Sequence, residues 1–218
     1  MKVPSEGGWS FDADGVADAF DDHVREQLPW YDLATDALVH IARHYIPEDG
    51  LVYDVGASTG NVGRAIQSIL KDRGARLVAI EKSKEMAARY SGPQDLVVAD
   101  AIDFDFEPFD FAVVFLAAIF MPVSKRQQLL NNLLSSVKEG GAIVIVERME
   151  AGSGYISTIN ARLTLANKLK SGATADDIVA KELSLSGVQR PMSYKEMPAQ
   201  AVEFFRLGDF VGWIIEAT

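Results

Sequence analysis

The sequence predicts an α/β protein with a doubly wound, mostly parallel sheet, an antiparallel C-terminal strand and a helical cap. Between residues 51 and 147, short apolar runs rich in β-branched residues alternate with stretches of helical periodicity. This alternation is typical of a parallel sheet with helices on both faces. The flanking regions are helical in pattern, and two strand-like runs at the end of the chain indicate a closing hairpin.

The first elements are helices that precede the sheet. Apolar residues at helical spacing predict a helix over 16–28, which Pro29 ends, and a second helix over 31–45. A Pro- and Gly-containing turn at 46–50 then stops the helical pattern. Residues 1–8 lack the apolar segment of a signal peptide, so no leader is expected.

The central region contains five predicted strands with helices between them. The strands are expected at 51–56, 76–81, 96–99, 111–116 and 142–147, and the helices at 61–73, 84–90 and 125–137. Ser124 is expected to cap the last of these helices, and Gly140 with Gly141 to close it. Right-handed crossovers favour a doubly wound sheet, but the periodicity leaves the strand order open.

The remaining predicted elements are helices at 153–170 and 175–185 and strands at 201–207 and 210–216. No Pro/Gly/Ser-rich linker divides the chain, so we expect one domain over residues 1–218. Its core would comprise about 48–150 and 200–218, and its helical cap about 10–47 and 151–199.

Composition narrows the classes of partner. The 218 residues carry a net charge of -10, which argues against tight non-specific binding to nucleic acid. No apolar run approaches the roughly 18 residues that span a bilayer, so no membrane partner is expected. The chain has no cysteine, which excludes disulfides and thiolate metal sites and suits a cytoplasmic localisation.

The functional prediction begins at residues 51–60, where a buried strand leads into a glycine turn and then a helix. This geometry lets the backbone pass close under a ligand. Gly56 and Gly60 are separated by three residues, so the dinucleotide fingerprint G-x-G-x-x-G fails, and no Lys follows Gly60 as in a Walker A loop. We therefore favour a neutral or zwitterionic nucleoside over a dinucleotide or a phosphate.

Acidic residues follow the next two strands. Ligands of open parallel sheets lie beyond the carboxyl ends of the strands, where Glu81 could accept hydrogen bonds from a ribose. Asp100 could accept from an adenine amino group. Asp54, inside the first strand, could support the turn or meet a ligand ammonium through water. Taken singly, Gly56 and Gly60 could simply make a tight turn, and Glu81 and Asp100 could simply begin solvated loops. The order of the whole set carries the prediction.

These segments resemble class I S-adenosylmethionine-dependent methyltransferases. Residues 52–60 resemble motif I of that family, Glu81 its ribose-binding acid and 99–101 its adenine-side motif. Residues 109–114 and 137–145 resemble the fourth motif and the stretch before the fifth strand. The resemblance implies a Rossmann-like fold, an enzyme and S-adenosyl-L-methionine as its cofactor.

The resemblance also implies which residues contact the cofactor. They are Tyr31, Asp54, Gly56, Ala57, Ser58, Gly60, Glu81, Lys82, Asp100, Ala101 and Phe115. Tyr31 would close the site from above. Arg148, at the end of the fifth strand, and Arg162, on the helix that follows, are candidates for substrate contact, although each also suits a solvated surface. No catalytic base is assigned, although His23 could serve as one or be a surface histidine.

A closer resemblance is to the carboxy-S-adenosylmethionine synthase branch. The matching segments are 20–25, 29–31, 124–130 and 147–149. That branch has an Asn at the end of the fourth strand, where this chain has Phe115. It also has an Arg in the late helix that holds the extra carboxylate, where this chain has Glu182. The closer relatives imply a homodimer.

We therefore expect a methyltransferase that acts on a small-molecule substrate by in-line displacement, through positioning and desolvation. Two alternatives stay open: a carboxy-S-adenosylmethionine synthase-like enzyme of tRNA wobble-uridine modification, and a non-catalytic S-adenosylmethionine-binding module. Direct nucleic-acid binding is not expected. A metal is not expected either, because His40 and His44 share a helix face without an evident third ligand.

Overall fold

The computed structural model describes residues 10–12, 16–18 and 20–218. Its helices are α1 (Phe20–Gln27), α2 (Tyr31–Tyr45), α3 (Asn61–Arg73), α4 (Lys84–Ala87), α5 (Val123–Ser136), α6 (Tyr155–Lys170) and α7 (Ala175–Ser184). Its strands are β1 (Leu51–Val55), β2 (Arg76–Glu81), β3 (Leu96–Val98), β4 (Phe109–Phe115), β5 (Val137–Arg148), β6 (Val202–Leu207) and β7 (Phe210–Glu216). The expectation of no leader at residues 1–8 lies outside the described residues.

The strands form one seven-stranded sheet in the order β3-β2-β1-β4-β5-β7-β6. The first five strands pair in parallel, β7 pairs antiparallel with β5, and β6 pairs antiparallel with β7. This confirms the predicted doubly wound, mostly parallel, Rossmann-like sheet. The chain turns from one half of the sheet to the other between β1 and β4, and such a switch point is where open α/β sheets bind ligands.

Alternate residues of β1 pack into two cores, one on each face of the sheet. All five residues of β1 are buried, as expected for a central parallel strand covered by helices on both sides. Val52 packs with Leu38 of α2 and Ile66 of α3. Tyr53 points to the opposite face and packs with Leu129 of α5. The period of two along the strand therefore explains the three-layer arrangement.

Two predicted helix starts were wrong. Residues 16–18 form a turn, so the helix predicted over 16–28 begins only at Phe20. Ser124 is not a helix cap, because α5 already begins at Val123 and Pro122 occupies the capping position. Proline suits a helix start, where a missing N–H leaves no intrahelical bond unmade.

The glycine pair after α5 lies inside a strand and does not close the helix. β5 begins at Val137, ahead of Gly140 and Gly141. Gly140 has a φ of 77°, and the register against β4 shifts between Phe109 and Phe111. A local irregularity of this kind is what a glycine of positive φ accommodates in a strand. Periodicity alone predicted the buried half of β5, from 142 to 147, and missed its exposed start.

The N-terminal helices pack against the C-terminal hairpin through aromatic rings. Trp30, just before α2, lies 4.6 Å from the ring of Phe210 and 5.6 Å from that of Phe205. Phe210 is the register partner of Arg148 at the carboxyl end of β5. This packing holds the start of α2 at the edge of the sheet where the parallel strands end.

Candidate active site

A cavity of about 430 Å³ opens at the carboxyl ends of the parallel strands, beside the switch point between β1 and β4. This volume lies within the roughly 300–1,000 Å³ of small-molecule sites. Most of the predicted site residues line it, namely Tyr31, Asp54, Gly56, Ala57, Ser58, Glu81, Lys82, Asp100, Ala101, Phe115 and Arg148. Gly60 and Arg162 are described but lie outside this lining.

The turn after β1 forms the floor of the cavity. Gly56 and Gly60 have φ values of 75° and 97°, a region that glycine adopts at little cost. A Cβ on Gly56 would lie 2.5 Å from the Cβ of Ala117, and one on Gly60 would lie 2.6 Å from the backbone nitrogen of Gly92. Gly60 therefore shapes the turn and precedes α3, whereas Gly56 lies at the cavity wall.

Glu81 connects the turn to the end of β2. Its Oε2 accepts a hydrogen bond from the backbone N–H of Ser58 at 2.8 Å, and its Oε1 accepts one from Ser83 at 2.7 Å. Burial raises the pKa of Glu81, while these donors oppose that shift. A carboxylate offers about four acceptor positions, so Glu81 retains capacity for ribose hydroxyls.

Asp54 lies beneath the turn and is 1% exposed. Burial, reinforced by the negative charge of Glu81 and opposed by the N–H of Gly63, raises the pKa of Asp54 to about 7. Among the described residues, no hydrogen-bond donor meets its Oδ2. Because a buried polar atom without a partner is costly, Asp54 fits a ligand with a cationic N–H group, directly or through water.

The side of the cavity beyond β2 and β3 is both acidic and aromatic. Asp100 accepts from the backbone N–H of Ile102 at 3.1 Å and pairs with the ammonium of Lys82 at 2.7 Å. The rings of Phe11 and Phe120 meet edge to face at 4.8 Å nearby, and both line the cavity. Sequence reasoning missed these two phenylalanines, because they are 109 positions apart and only folding brings them together.

The part of the cavity wall that Tyr31 and Phe115 form is apolar. Tyr31 is buried, and its ring meets that of Phe115 edge to face at 5.2 Å. The guanidinium of Arg25 lies 5.4 Å from the centre of the Tyr31 ring. Burial raises the pKa of the Tyr31 hydroxyl, so the phenol is neutral at physiological pH. This region can exclude water from a reacting group.

The far end of the cavity is lined by basic residues. Arg148, Lys168 and Lys181 line it together with Glu182, and the ammonium of Lys168 lies 2.8 Å from the Glu182 carboxylate. Burial, and then the charge of Lys168, lowers the pKa of Lys181 to about 7. His23 also lines this end, and burial with the charge of Lys181 lowers its pKa to about 4, which leaves the imidazole neutral at pH 7.

The predicted substrate residues have different positions. Arg148 lines the cavity, where its guanidinium donates to Gln189 at 3.2 Å. Arg162 is exposed and donates to the hydroxyl of Tyr155. On the same helix, Thr164 and Lys168 line the cavity, as their spacing of four residues places them on one face. A helical-wheel comparison would have separated Lys168 from Arg162, but nothing in the sequence identified Lys181.

Part of the chain that lines the cavity matches a known family. Residues 53–145 match the family model described as a methyltransferase domain. The chain is 27% identical over 193 residues to the carboxy-S-adenosyl-L-methionine synthase of Staphylococcus epidermidis, which covers 86% of this chain and 84% of the relative. It is 26% identical to the synthase of Shewanella sediminis, over 85% of this chain and 80% of the relative.

Solved structures agree on the fold. Human N-acetylserotonin methyltransferase in complex with S-adenosylmethionine superposes with a TM-score of 0.59 at 11% identity, over 94% of this chain and 57% of that chain. An S-adenosylmethionine-dependent methyltransferase from Archaeoglobus fulgidus superposes with a TM-score of 0.53 at 13% identity, over 89% of this chain and 98% of that chain. Both show the same fold as this chain.

The domain match, the fold and the cavity together indicate the class of this protein: it is an enzyme with a methyltransferase domain over residues 53–145, and S-adenosyl-L-methionine is its cofactor. Within that class, the chain is similar over most of its length to carboxy-S-adenosyl-L-methionine synthases. None of the helices in the described ranges is long and apolar enough to cross a membrane.

Proposed function

We propose that this enzyme transfers a methyl group from S-adenosylmethionine to a small substrate that carries an acidic group. The basic end of the cavity is the observation that carries this proposal. Arg148, Lys168 and Lys181 line it, and the acid Glu182 already pairs with Lys168. Arg148 donates to the uncharged Gln189, so positive charge remains for an anionic group, which forms strong hydrogen bonds to cationic donors in a partly buried site.

The cofactor would occupy the other end. Glu81 would accept from its ribose hydroxyls, Asp100 and Ala101 would contact the adenine, and Asp54 would face its ammonium. These assignments follow from the acceptor atoms present and from the lining of the cavity. They would direct the reacting end of the cofactor towards Tyr31 and Phe115.

The chain's own contribution to the reaction would be positioning and exclusion of water. When bound, the cofactor supplies an electrophilic methyl group. Tyr31 and Phe115 would shield the reacting atoms from water, and the basic end would orient the substrate for in-line attack. His23 is neutral at pH 7 and could accept a proton from the attacking group.

A second candidate function is a carboxy-S-adenosylmethionine synthase-like activity, whose product would serve tRNA wobble-uridine modification. Two observations favour it: the relatives of that name, and the basic residues at the far end of the cavity, which would hold an extra carboxylate on the cofactor. The sequence suggested repulsion between such a carboxylate and Glu182. In the structure Lys168 pairs with Glu182, and the adjacent Lys181 lines the cavity.

Mass spectrometry of the small molecule extracted from the purified protein, followed by calorimetry with S-adenosylhomocysteine, tests both candidates. S-adenosylmethionine or S-adenosylhomocysteine in the extract supports methyl transfer. A ligand heavier by one carboxyl group supports the synthase-like activity. Failure of S-adenosylhomocysteine to bind would refute both proposals, because both place the same nucleoside in the cavity.

A pair of lysine variants tests the anionic substrate. Lys181→Met is expected to leave the affinity for S-adenosylhomocysteine within about threefold, yet to lower kcat/KM for the acidic substrate about 100-fold, as loss of a buried ionic hydrogen bond does. Lys170→Met, on the exposed face of α6, is the matched control and should change neither value. Equal kinetics for both variants would refute the role of the basic end.

A further inference from the structure

A short loop after β4 forms a wall of the cavity, and we call residues 116–121 the wall loop. Five of its six residues line the cavity, namely Leu116, Ala117, Ile119, Phe120 and Met121. Leu116 has a φ of 54°, which is unfavourable for a residue with a branched side chain. Such a conformation persists only when the surroundings hold it in place.

Glu147 supplies that restraint at the start of the wall loop. It lies near the end of β5, next to β4, and its side chain is completely buried. Its Oε1 accepts the backbone N–H of Ala118 at 2.6 Å, and the N–H groups of Ala117 and Ile119 also interact with the carboxyl group. The amide of Ala118 is therefore bonded to Glu147, and the amides on either side of it favour the charged form of the carboxyl group.

Arg126 of α5 holds the other end of the wall loop. Its guanidinium donates to the carbonyl oxygens of Ile119 and Met121, each at 3.3 Å, and to that of Arg190 at 2.6 Å. The side chain is 1% exposed. The wall loop is thus bound through its N–H groups by Glu147 and through its carbonyl groups by Arg126, which leaves it little freedom to move.

We propose that Glu147 is a positioning residue, which holds the wall loop against Gly56 and thereby shapes the cofactor end of the cavity. The Cβ of Ala117 lies where a side chain on Gly56 would have to be, at 2.5 Å from its first carbon. A shift of the amides at 117–119 would therefore open or block the floor on which the cofactor lies. Glu147 does not line the cavity, so it acts through the loop.

Glu147 performs this role in its neutral form. Its Oε2 meets no hydrogen-bond donor within the described part of the chain, and an unpaired buried charge is far more costly than an unpaired neutral oxygen. Burial raises the pKa of Glu147 to about 8, against the opposing N–H groups and the charge of Arg126. The guanidinium of Arg126 lies 3.5 Å from the carboxylate of Glu196.

Two variants of Glu147 test the proposal. Glu147→Gln keeps an acceptor oxygen and the shape of the neutral side chain, whereas Glu147→Leu removes the acceptor. Hydrogen exchange measured by mass spectrometry over residues 115–122 reports the wall loop directly, without any ligand. Calorimetry with S-adenosylhomocysteine between pH 6 and 9 reports the cavity. Glu150→Gln, exposed just beyond β5, is the control for loss of one carboxylate.

We expect exchange of the loop amides to rise at least tenfold in Glu147→Leu and to stay within threefold of the native rate in Glu147→Gln and Glu150→Gln. We also expect affinity for S-adenosylhomocysteine to fall at least tenfold in Glu147→Leu. Above pH 8 the native protein and Glu150→Gln should lose affinity relative to Glu147→Gln, since only Glu147→Gln cannot ionise at this position.

Three results would overturn the proposal. The first is native loop exchange in a folded Glu147→Leu variant, which would restrict Glu147 to a general structural role. The second is a Glu147→Gln variant that behaves like Glu147→Leu. If Glu147→Leu does not fold, parallel pH profiles for Glu147→Gln and the native protein would be decisive against it. The calorimetry rests on the proposed function, whereas the hydrogen-exchange measurement does not. If the native protein fails to bind S-adenosylhomocysteine, only the part of the proposal that concerns the cofactor is refuted.

Discussion

Gly56→Ala is the sharpest test of the turn that we propose lies beneath the cofactor. Two costs apply to this substitution. A φ of 75° places alanine in the left-handed region, at about 1 kcal/mol. The new Cβ would also lie 2.5 Å from that of Ala117, and overpacking of this kind costs about 1–3 kcal/mol. The free energy of unfolding should therefore fall by about 2–4 kcal/mol.

Gly140→Ala is the matched control. Gly140 has a φ of 77°, almost the same as that of Gly56, but nothing lies within 4 Å of a Cβ placed there. It should lose only the conformational cost of about 1 kcal/mol. Subtracting the two values isolates the contact with Ala117, because the backbone term is common to both.

Urea unfolding and calorimetry measure the two consequences. Gly56→Ala should unfold at lower urea than Gly140→Ala and should bind S-adenosylhomocysteine at least 30-fold more weakly. The reason is that Ala117 or the turn must move until the 2.5 Å separation reaches the 3.4–4 Å of an ordinary van der Waals contact. Gly140→Ala should retain native affinity. Equal destabilisation of the two variants, or native affinity in Gly56→Ala, would refute the claim that the turn and the wall loop are in tight contact.

Three further outcomes follow from buried charged groups. The pKa of Asp54 is raised from 3.8 to about 7 by folding, so its stabilising effect is complete below pH 3.8 and is lost as pH rises through 7. Asp54→Asn should abolish that loss, up to about 4 kcal/mol in urea unfolding, and a native-like pH slope in this variant would contradict it. Arg126→Met should cost about 3 kcal/mol, whereas exposed Lys125→Met should cost less than about 0.5 kcal/mol; equal costs would contradict the burial argument. Lys181→Arg should retain most of the activity that Lys181→Met loses, as measured by kcat/KM for the acidic substrate, and no rescue would argue against a purely electrostatic role.

The sheet and its helices were largely predictable because their signals are local. The helices at 31–45 and 61–73 and the strand at 76–81 have the predicted bounds. Their apolar periodicity coincides with clear turn residues at both ends. Predictions failed where a longer-range contact decided the boundary. At 137–141, pairing with β4 extends β5 beyond its apolar half.

The cofactor end of the site was also predictable in large part. A strand, a glycine turn and acids at successive strand ends converge in any parallel sheet, so their order along the chain implies their proximity. Most of these residues do line one cavity. The spacing of Gly56 and Gly60 suggested the kind of ligand, but it did not show that Gly60 lies outside the cavity lining.

The sequence by itself determined the fold class, the glycine turn that we propose binds a nucleoside, and the acids beside that turn, because each depends on neighbours along the chain or on strand ends that must meet. The tertiary structure alone decided the charge at the far end of the cavity. Lys168 and Lys181 come from different helices, and only their packing shows that Glu182 is paired. It also decided the role of Glu147, whose partners lie 28 to 30 positions away in the wall loop. The charge and the burial of a site depend on all the residues that surround it in space, and most of these are distant in the sequence.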